Sequence, residues 1–143
     1  IVLKTTHSEF HGFPRDRYTT LQETDDRVLA TEVAARWRHD GTADYDTVRA
    51  ALLDTFAAHH SLSLQQTLYA MGAALLSACG SVHEVRFSLP NKHHFVVDLS
   101  PFGLENPNEV FHADDRPYGL IEGAVVRDGA PDPGPAWDPY PLI

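Results

Sequence analysis

Two helical stripes set end to end, with alternating runs on either side, constrain this chain more than any other feature. Tyr45, Val48, Leu52 and Phe56 recur three or four residues apart, while Asp46, Arg49 and Asp54 fall off the stripe. That spacing gives a helix one apolar face. Leu64, Leu68, Met71 and Leu75 repeat the pattern after a short gap. On both sides the period drops to two. Between Arg27 and Arg38, Leu29, Val33, Ala35 and Trp37 share one face and Glu32, Arg36 and Arg38 the other. Beyond the helices, Val85, Phe87 and Leu89 alternate with Glu84, Arg86 and Ser88. Strands that bury one face read this way. The element order is therefore strand, strand, helix, helix, strand, strand. It predicts an α+β domain in which an antiparallel sheet carries both helices on one face.

The boundaries follow from local chemistry. Ile1–Thr6 is short, apolar and β-branched, which favours a strand, and residues 7–24 form an ordered excursion around Gly12 and Pro14. Arg27–Arg38 reads as one long strand, ended by the HDGTAD break. Ser63 with Gln66 three places on is a capping box, and Gly80 suits the position after the second helix. Val82–Leu89 and His93–Leu99, separated by a break at Pro90–Lys92, read as neighbouring antiparallel strands. Pro101–Pro117 is rich in loop signals, and Tyr118–Arg127 offers a further final strand. Five of the ten prolines then crowd into residues 128–143, which predicts an extended tail anchored by Trp137 and Tyr140. The expected division is a domain over 1–127 and a tail over 128–143.

The 143 residues suffice for one hydrophobic core. A net charge of -9 repels a nucleic-acid backbone, so an anionic ligand needs a local arrangement to hold it. No apolar stretch approaches the roughly 20 residues of a membrane-spanning helix. The single cysteine, Cys79, allows no internal disulfide and reads as a packed thiol, in keeping with a reducing compartment. A start at Ile1 without an initiator methionine suggests a piece of a longer protein.

Several residues carry chemistry in this frame. With Ser63 as cap, the backbone N–H groups of Leu64 and Gln65 open the second helix without partners inside it. They favour an anion or carbonyl oxygen, and the Gln65 amide adds a donor and an acceptor. The alternative is that water satisfies them. Arg27 starts a strand and offers a planar fork to a flat ligand, or equally to Asp25 or Asp26. Phe10 can stack on a ring or simply pack. Asn91 and His93 sit at a strand break, where a rigid frame leaves side chains accessible. Nine histidines raise the possibility of a metal, but adjacent histidines on a strand point to opposite faces and no His-Glu-x-x-His motif or cysteine pair is present. No metal site is expected.

LPNKHHFVVDLS at Leu89–Ser100, SEFHGFPRDRYTTLQETDDRVLATEV from Ser8, SLSLQQTLY at the second helix and NPNEVFHADDRPYGLIEG downstream together resemble urate oxidase. The resemblance extends in order to about Arg127 and corresponds to the C-terminal half of that enzyme. It implies the tunnelling fold, of which a full subunit has two copies. It also implies oxidation of urate by molecular oxygen to 5-hydroxyisourate and hydrogen peroxide, with no metal or organic cofactor. Carried over, Phe10 stacks on the purine, Arg27 grips one edge, and the Leu64 N–H with the Gln65 side chain holds the opposite edge. Asn91 faces the oxygen or water site above the ring, and His93 belongs to a proton relay, with His94 turned away. The family's lysine–threonine base pair comes from the N-terminal half and the site forms between subunits, so the resemblance implies a homotetramer and a fragment inactive alone. The PYPLI ending lacks a peroxisomal address, which points to the cytoplasm. Alternatives are a zinc-dependent pterin-type tunnelling-fold enzyme and a non-catalytic purine-binding assembly subunit.

Overall fold

Both stripes fold as helices in a computed structural model that describes residues 1–137. Helix α1 spans Tyr45–Ala58 and α2 Leu64–Ala78. The Asp44 carboxylate caps α1 by accepting the Thr47 N–H at 2.8 Å, and the Thr47 bonds hold its pKa below the usual value. At α2, Ser63 Oγ accepts the Gln66 N–H at 3.1 Å. Gln66 reaches back to the Leu62 N–H at 2.8 Å, so the box closes one residue earlier than its usual form. Gly80 does not serve as a left-handed terminator. The helix ends through extended Cys79, whose N–H bonds Leu75 O at 2.9 Å before a turn returns Val82 N–H to Cys79 O at 3.0 Å.

Five antiparallel strands make the sheet: β1 Val2–Lys4, β2 Leu29–Thr31, β3 Ala34–His39, β4 Val82–Val96 and β5 Phe111–Val126. The long strand expected over Arg27–Arg38 is divided into β2 and β3. Both nevertheless lie on β4 in one register, Thr31 opposite Asn91 and Ala34 opposite Ser88. Continuing that register sets Glu32 against Pro90, which has no N–H to give, so the ladder lapses there. The Thr31 hydroxyl bonds the Pro90 carbonyl at 2.8 Å instead.

The reading after the helices needs a larger correction. Val82–Leu89 and His93–Leu99 are not neighbouring strands, because β4 runs through Pro90 without turning back. Its true partner is β5, with Leu89 opposite Ile121 and His94 opposite Ala113. The segment expected to be loop up to Pro117 is strand from Phe111 onward. Pro90 tolerates extended backbone, and a register shift between Asn91 and His93 absorbs the irregularity. The proline itself stays in register opposite Leu120, and the shift that follows sets residues 115–118 of β5 against Lys92 alone. The reversal comes at residues 97–110, where a 3₁₀ turn over Ser100–Phe102 ends at left-handed Gly103.

Val85, Phe87 and Leu89 of β4 join Val48, Leu52, Phe56, Leu68, Met71 and Leu75 in the core beneath the helices. Gly72 lets α2 approach β5: a Cβ there would lie 2.4 Å from Val125 Cγ2. Cys79 is buried and free. Glu84, on the same strand as the core residues, is buried among polar partners. Its carboxylate takes Arg86 Nε at 2.8 Å and the Trp137 indole N–H at 2.9 Å, with Arg38 Nε 3.8 Å away. Arg86 also lies 4.2 Å over the Trp137 ring. Trp137 thus anchors the proline-rich segment, which coils into a 3₁₀ turn at Gly134–Trp137 instead of staying extended. Tyr140, the other expected anchor, lies outside the described residues.

Candidate functional site

Residues 7–10 join the pieces of the site. Ser8 forms a parallel bridge with Ser61, in which Glu9 N–H bonds Ser61 O at 2.7 Å and Ser61 N–H bonds His7 O at 2.9 Å. Ser8 also meets Arg27: its carbonyl accepts the Arg27 N–H at 3.2 Å and its Oγ accepts Arg27 Nε–H at 3.1 Å. Phe10 exchanges backbone bonds with Thr24, of 2.8 and 3.2 Å. Its ring lies 5.2 Å from the Arg27 guanidinium and stacks on Phe13 at 4.6 Å.

The ion pairs open to Arg27 in the sequence do not form. Asp25 accepts from His11 at 2.6 Å and Asp26 from the Asn108 amide at 2.9 Å. Arg27 Nη2 is buried with no hydrogen-bond partner among the described residues. Burial lowers the Arg27 pKa, but a guanidinium stays charged at any physiological pH. A buried donor without a partner costs roughly 1–3 kcal/mol, more when charged.

The opening of α2 is tied to the same residues. Leu64 is buried and Gln65 exposed at the first two helical positions. The Thr67 hydroxyl lies 2.8 Å from Ser61 Oγ and 3.1 Å from the Ser63 carbonyl, and Ser61 Oγ donates to that carbonyl at 3.0 Å. Close by, the Lys4 ammonium bonds the His59 carbonyl and sits 5.5 Å over Phe56. Burial, then the Arg27 charge, lowers the Lys4 pKa. Ser8, Ser61, Thr67 and Lys4 escape sequence reasoning because single small or long polar residues create no periodic signal.

Asn91 and His93 stand on β4 at the bulge. Asn91 is half-buried between Thr31 and Gly119. His93 stacks on Phe95 at 5.7 Å, and both His93 and His94 border a recess of about 410 Å³ with Leu3, Ala30, Lys92 and Asp114. His94 turns Nδ1 to the Lys92 carbonyl, 3.1 Å away. Phe10 and Arg27 are thus brought into contact, and the α2 terminus is linked to them through Ser8 and Ser61. Among the described residues no hydrogen bond or ring contact joins Asn91 or His93 to that group.

A second polar cluster lies on the Phe10 segment. His11 takes Asp25 at 2.6 Å and Glu23 at 3.5 Å, while Glu9 pairs with His60 at 2.9 Å. The Asp25 hydrogen bond raises the His11 pKa above its ordinary value. Glu9, His11 and Asp25 bring potential donor atoms within 4.8 Å of one another, with the imidazole already engaged by carboxylates.

An antiparallel sheet bearing two helices on one face, in this element order, defines a tunnelling-fold unit. Structures of Bacillus sp. TB-90 urate oxidase share the fold at a TM-score of 0.75 and 24% identity, over 88% of this chain and 45% of theirs. Sequence goes further than fold: the uricase family profile matches residues 1–122, and the chain belongs to that family. It is 60% identical over 141 residues to a uricase of Arthrobacter globiformis, covering 95% of this chain and 47% of the relative. A uricase of Oryctolagus cuniculus is 42% identical, over 88% of this chain and 46% of its own length. The crystal structure of the Arthrobacter globiformis uricase superposes with a TM-score of 0.89 at 58% identity, over 96% of this chain and 50% of that one. The chain spans about half the length of the curated relatives it matches.

Proposed function

We propose that this chain is the C-terminal half of a urate oxidase, with residues 1–127 as its tunnelling-fold domain and 128–143 as an appended tail. The observation that carries the reading is Arg27: a buried guanidinium nitrogen without a hydrogen-bond partner among the described residues, beside the Phe10 ring, with both neighbouring aspartates engaged elsewhere. Urate is flat, anionic and edged with lactam groups. Its ring stacks on Phe10, one edge takes the Arg27 fork, and the other takes the Leu64 N–H and the Gln65 amide at the positive end of α2.

Urate supplies two electrons to O₂, which becomes hydrogen peroxide on taking up two protons, and water adds its oxygen to the oxidised ring to give 5-hydroxyisourate. No other electron source is required. The protein's task is to stabilise electron-rich urate, order water above it and move protons on cue. Asn91 holds the oxygen or water, and His93 relays protons while His94 stays outside. The family's lysine–threonine base pair belongs to the N-terminal half, so we propose that the active unit is a homotetramer with sites between subunits. A cytoplasmic location completes the reading; no described helix is long and apolar enough to cross a membrane.

The test mixes the chain, assembled with its N-terminal half, with urate and follows loss of ultraviolet absorbance and release of peroxide. Stoichiometric loss and release are expected. Binding without turnover selects the non-catalytic assembly subunit. The zinc alternative has the Glu9–His11–Asp25 group in its favour, but that offers one imidazole with two carboxylates. One zinc per chain by metal analysis, needed for turnover, overturns the proposal.

A further inference from the structure

We infer that Ser8 is the positioning residue that holds the Arg27 guanidinium at a set distance from the opening turn of α2; the inference rests on the urate-clamp reading above. Ser8 is 3% exposed and touches both sides of the clamp. Toward Arg27 it accepts twice, Nε–H on its hydroxyl at 3.1 Å and the backbone N–H on its carbonyl at 3.2 Å. Toward α2 it is bridged to Ser61, whose hydroxyl bonds the Ser63 carbonyl at 3.0 Å and lies 2.8 Å from that of Thr67. The cap residue of α2 and the guanidinium are therefore connected through one short run of bonds: hydroxyl bonds at Ser8 and Ser61, joined by the backbone bonds that His7 and Glu9 make to Ser61.

The chemistry of a hydroxyl suits this role. A guanidinium is planar, so fixing Nε–H fixes the plane in which the two terminal nitrogens lie. Among the described residues, Ser8 provides the only side chain that accepts from Arg27. Being neutral, it orients the cation without cancelling its charge, which stays available to an anion. An aspartate in its place would orient equally well and neutralise. Asp25 and Asp26, two and one residues from Arg27, are kept occupied by His11 and Asn108.

The test uses the assembled enzyme. Urate affinity is measured by calorimetry without oxygen, and KM and kcat are measured in air, for Ser8→Ala, Ser8→Thr, Arg27→Ala and the Ser8→Ala/Arg27→Ala double variant. Ser8→Ala keeps the backbone bridge and removes only the acceptor. It is expected to raise both the urate Kd and KM by about fivefold to tenfold, the worth of one ordinary hydrogen bond, with kcat within about twofold. Ser8→Thr restores the hydroxyl and is expected to return affinity to within about threefold. The double variant is expected to match Arg27→Ala alone, because two residues acting through one contact are not additive. Wild-type affinity in Ser8→Ala, or a Ser8→Ala loss that persists in full on top of Arg27→Ala, overturns the inference and leaves the clamp standing. Wild-type affinity in Arg27→Ala removes the clamp itself.

Discussion

The region beneath the helices and the segment from His7 to Arg27 are built on opposite principles. Beneath α1 and α2, stability comes from apolar area: Val85, Phe87, Leu89, Met71 and Leu75 are essentially sealed from solvent. Between His7 and Arg27 there is one isolated bridge to Ser61 and another between Phe10 and Thr24, and the remaining order comes from hydroxyls, carboxylates, the His11 imidazole, the Phe10–Phe13 stack and the guanidinium groups of Arg15, Arg17 and Arg27. The first region satisfies itself. The second leaves the buried Arg27 Nη2 beside the Phe10 ring without a hydrogen-bond partner among the described residues.

Substitutions that strike one region alone test this contrast. Phe87→Ala should have the largest effect, lowering stability by about 3–5 kcal/mol in chemical denaturation, because the ring is buried against α2 and its neighbours cannot collapse to fill the space. The molecules that remain folded should keep urate affinity; a selective loss of binding would blur the distinction. Asn91→Ala should leave urate affinity within about threefold and reduce kcat about 100-fold, as expected of a group that acts mainly beyond the ground state. His93→Ala should impair turnover more than His94→Ala, and equal damage from the two would refute the assignment of faces. Ser63→Ala removes the hydroxyl that caps α2 and should cost about 1 kcal/mol while weakening urate binding, which would tie the two regions at their shared boundary.

The smallest effect concerns pH. Hydrogen bonding to Asp25, with Glu23 nearby, raises the folded pKa of His11 above its ordinary 6.5, so folding favours the protonated ring. Its contribution is complete below that ordinary value and fades as pH rises through the higher folded one. Other charges facing this ring are Glu9, itself paired with His60, and Arg15 beside Glu23. His11→Gln should therefore lower the melting temperature at about pH 6 and make little difference near pH 9. A difference that does not change with pH would mean the ring is neutral and simply packs.

Legibility in the sequence followed the same division. The helices were readable almost to the residue because a recurring stripe averages over many positions. Strand boundaries were not, since Pro90 signals a break and only its surroundings decide whether the chain turns or bulges. Phe10 and Arg27 were nameable as candidates, yet their contact depends on Ser8 and Thr24, which no spacing rule selects. Asn91 and His93 were legible as accessible residues at an irregularity in a strand, and the bulge between them is the irregularity found.

By itself, the order of residues determined the α+β class, the two amphipathic helices, the cap at Ser63 and the burial of Cys79, all consequences of local geometry and local period. Tertiary structure alone decided that β4 continues through Pro90 to pair with β5, and that Asp25 and Asp26 are drawn to His11 and Asn108. A short-range preference acts within a few residues of chain. Which of several possible partners a buried charge acquires depends on distances in space, which only the packed molecule defines.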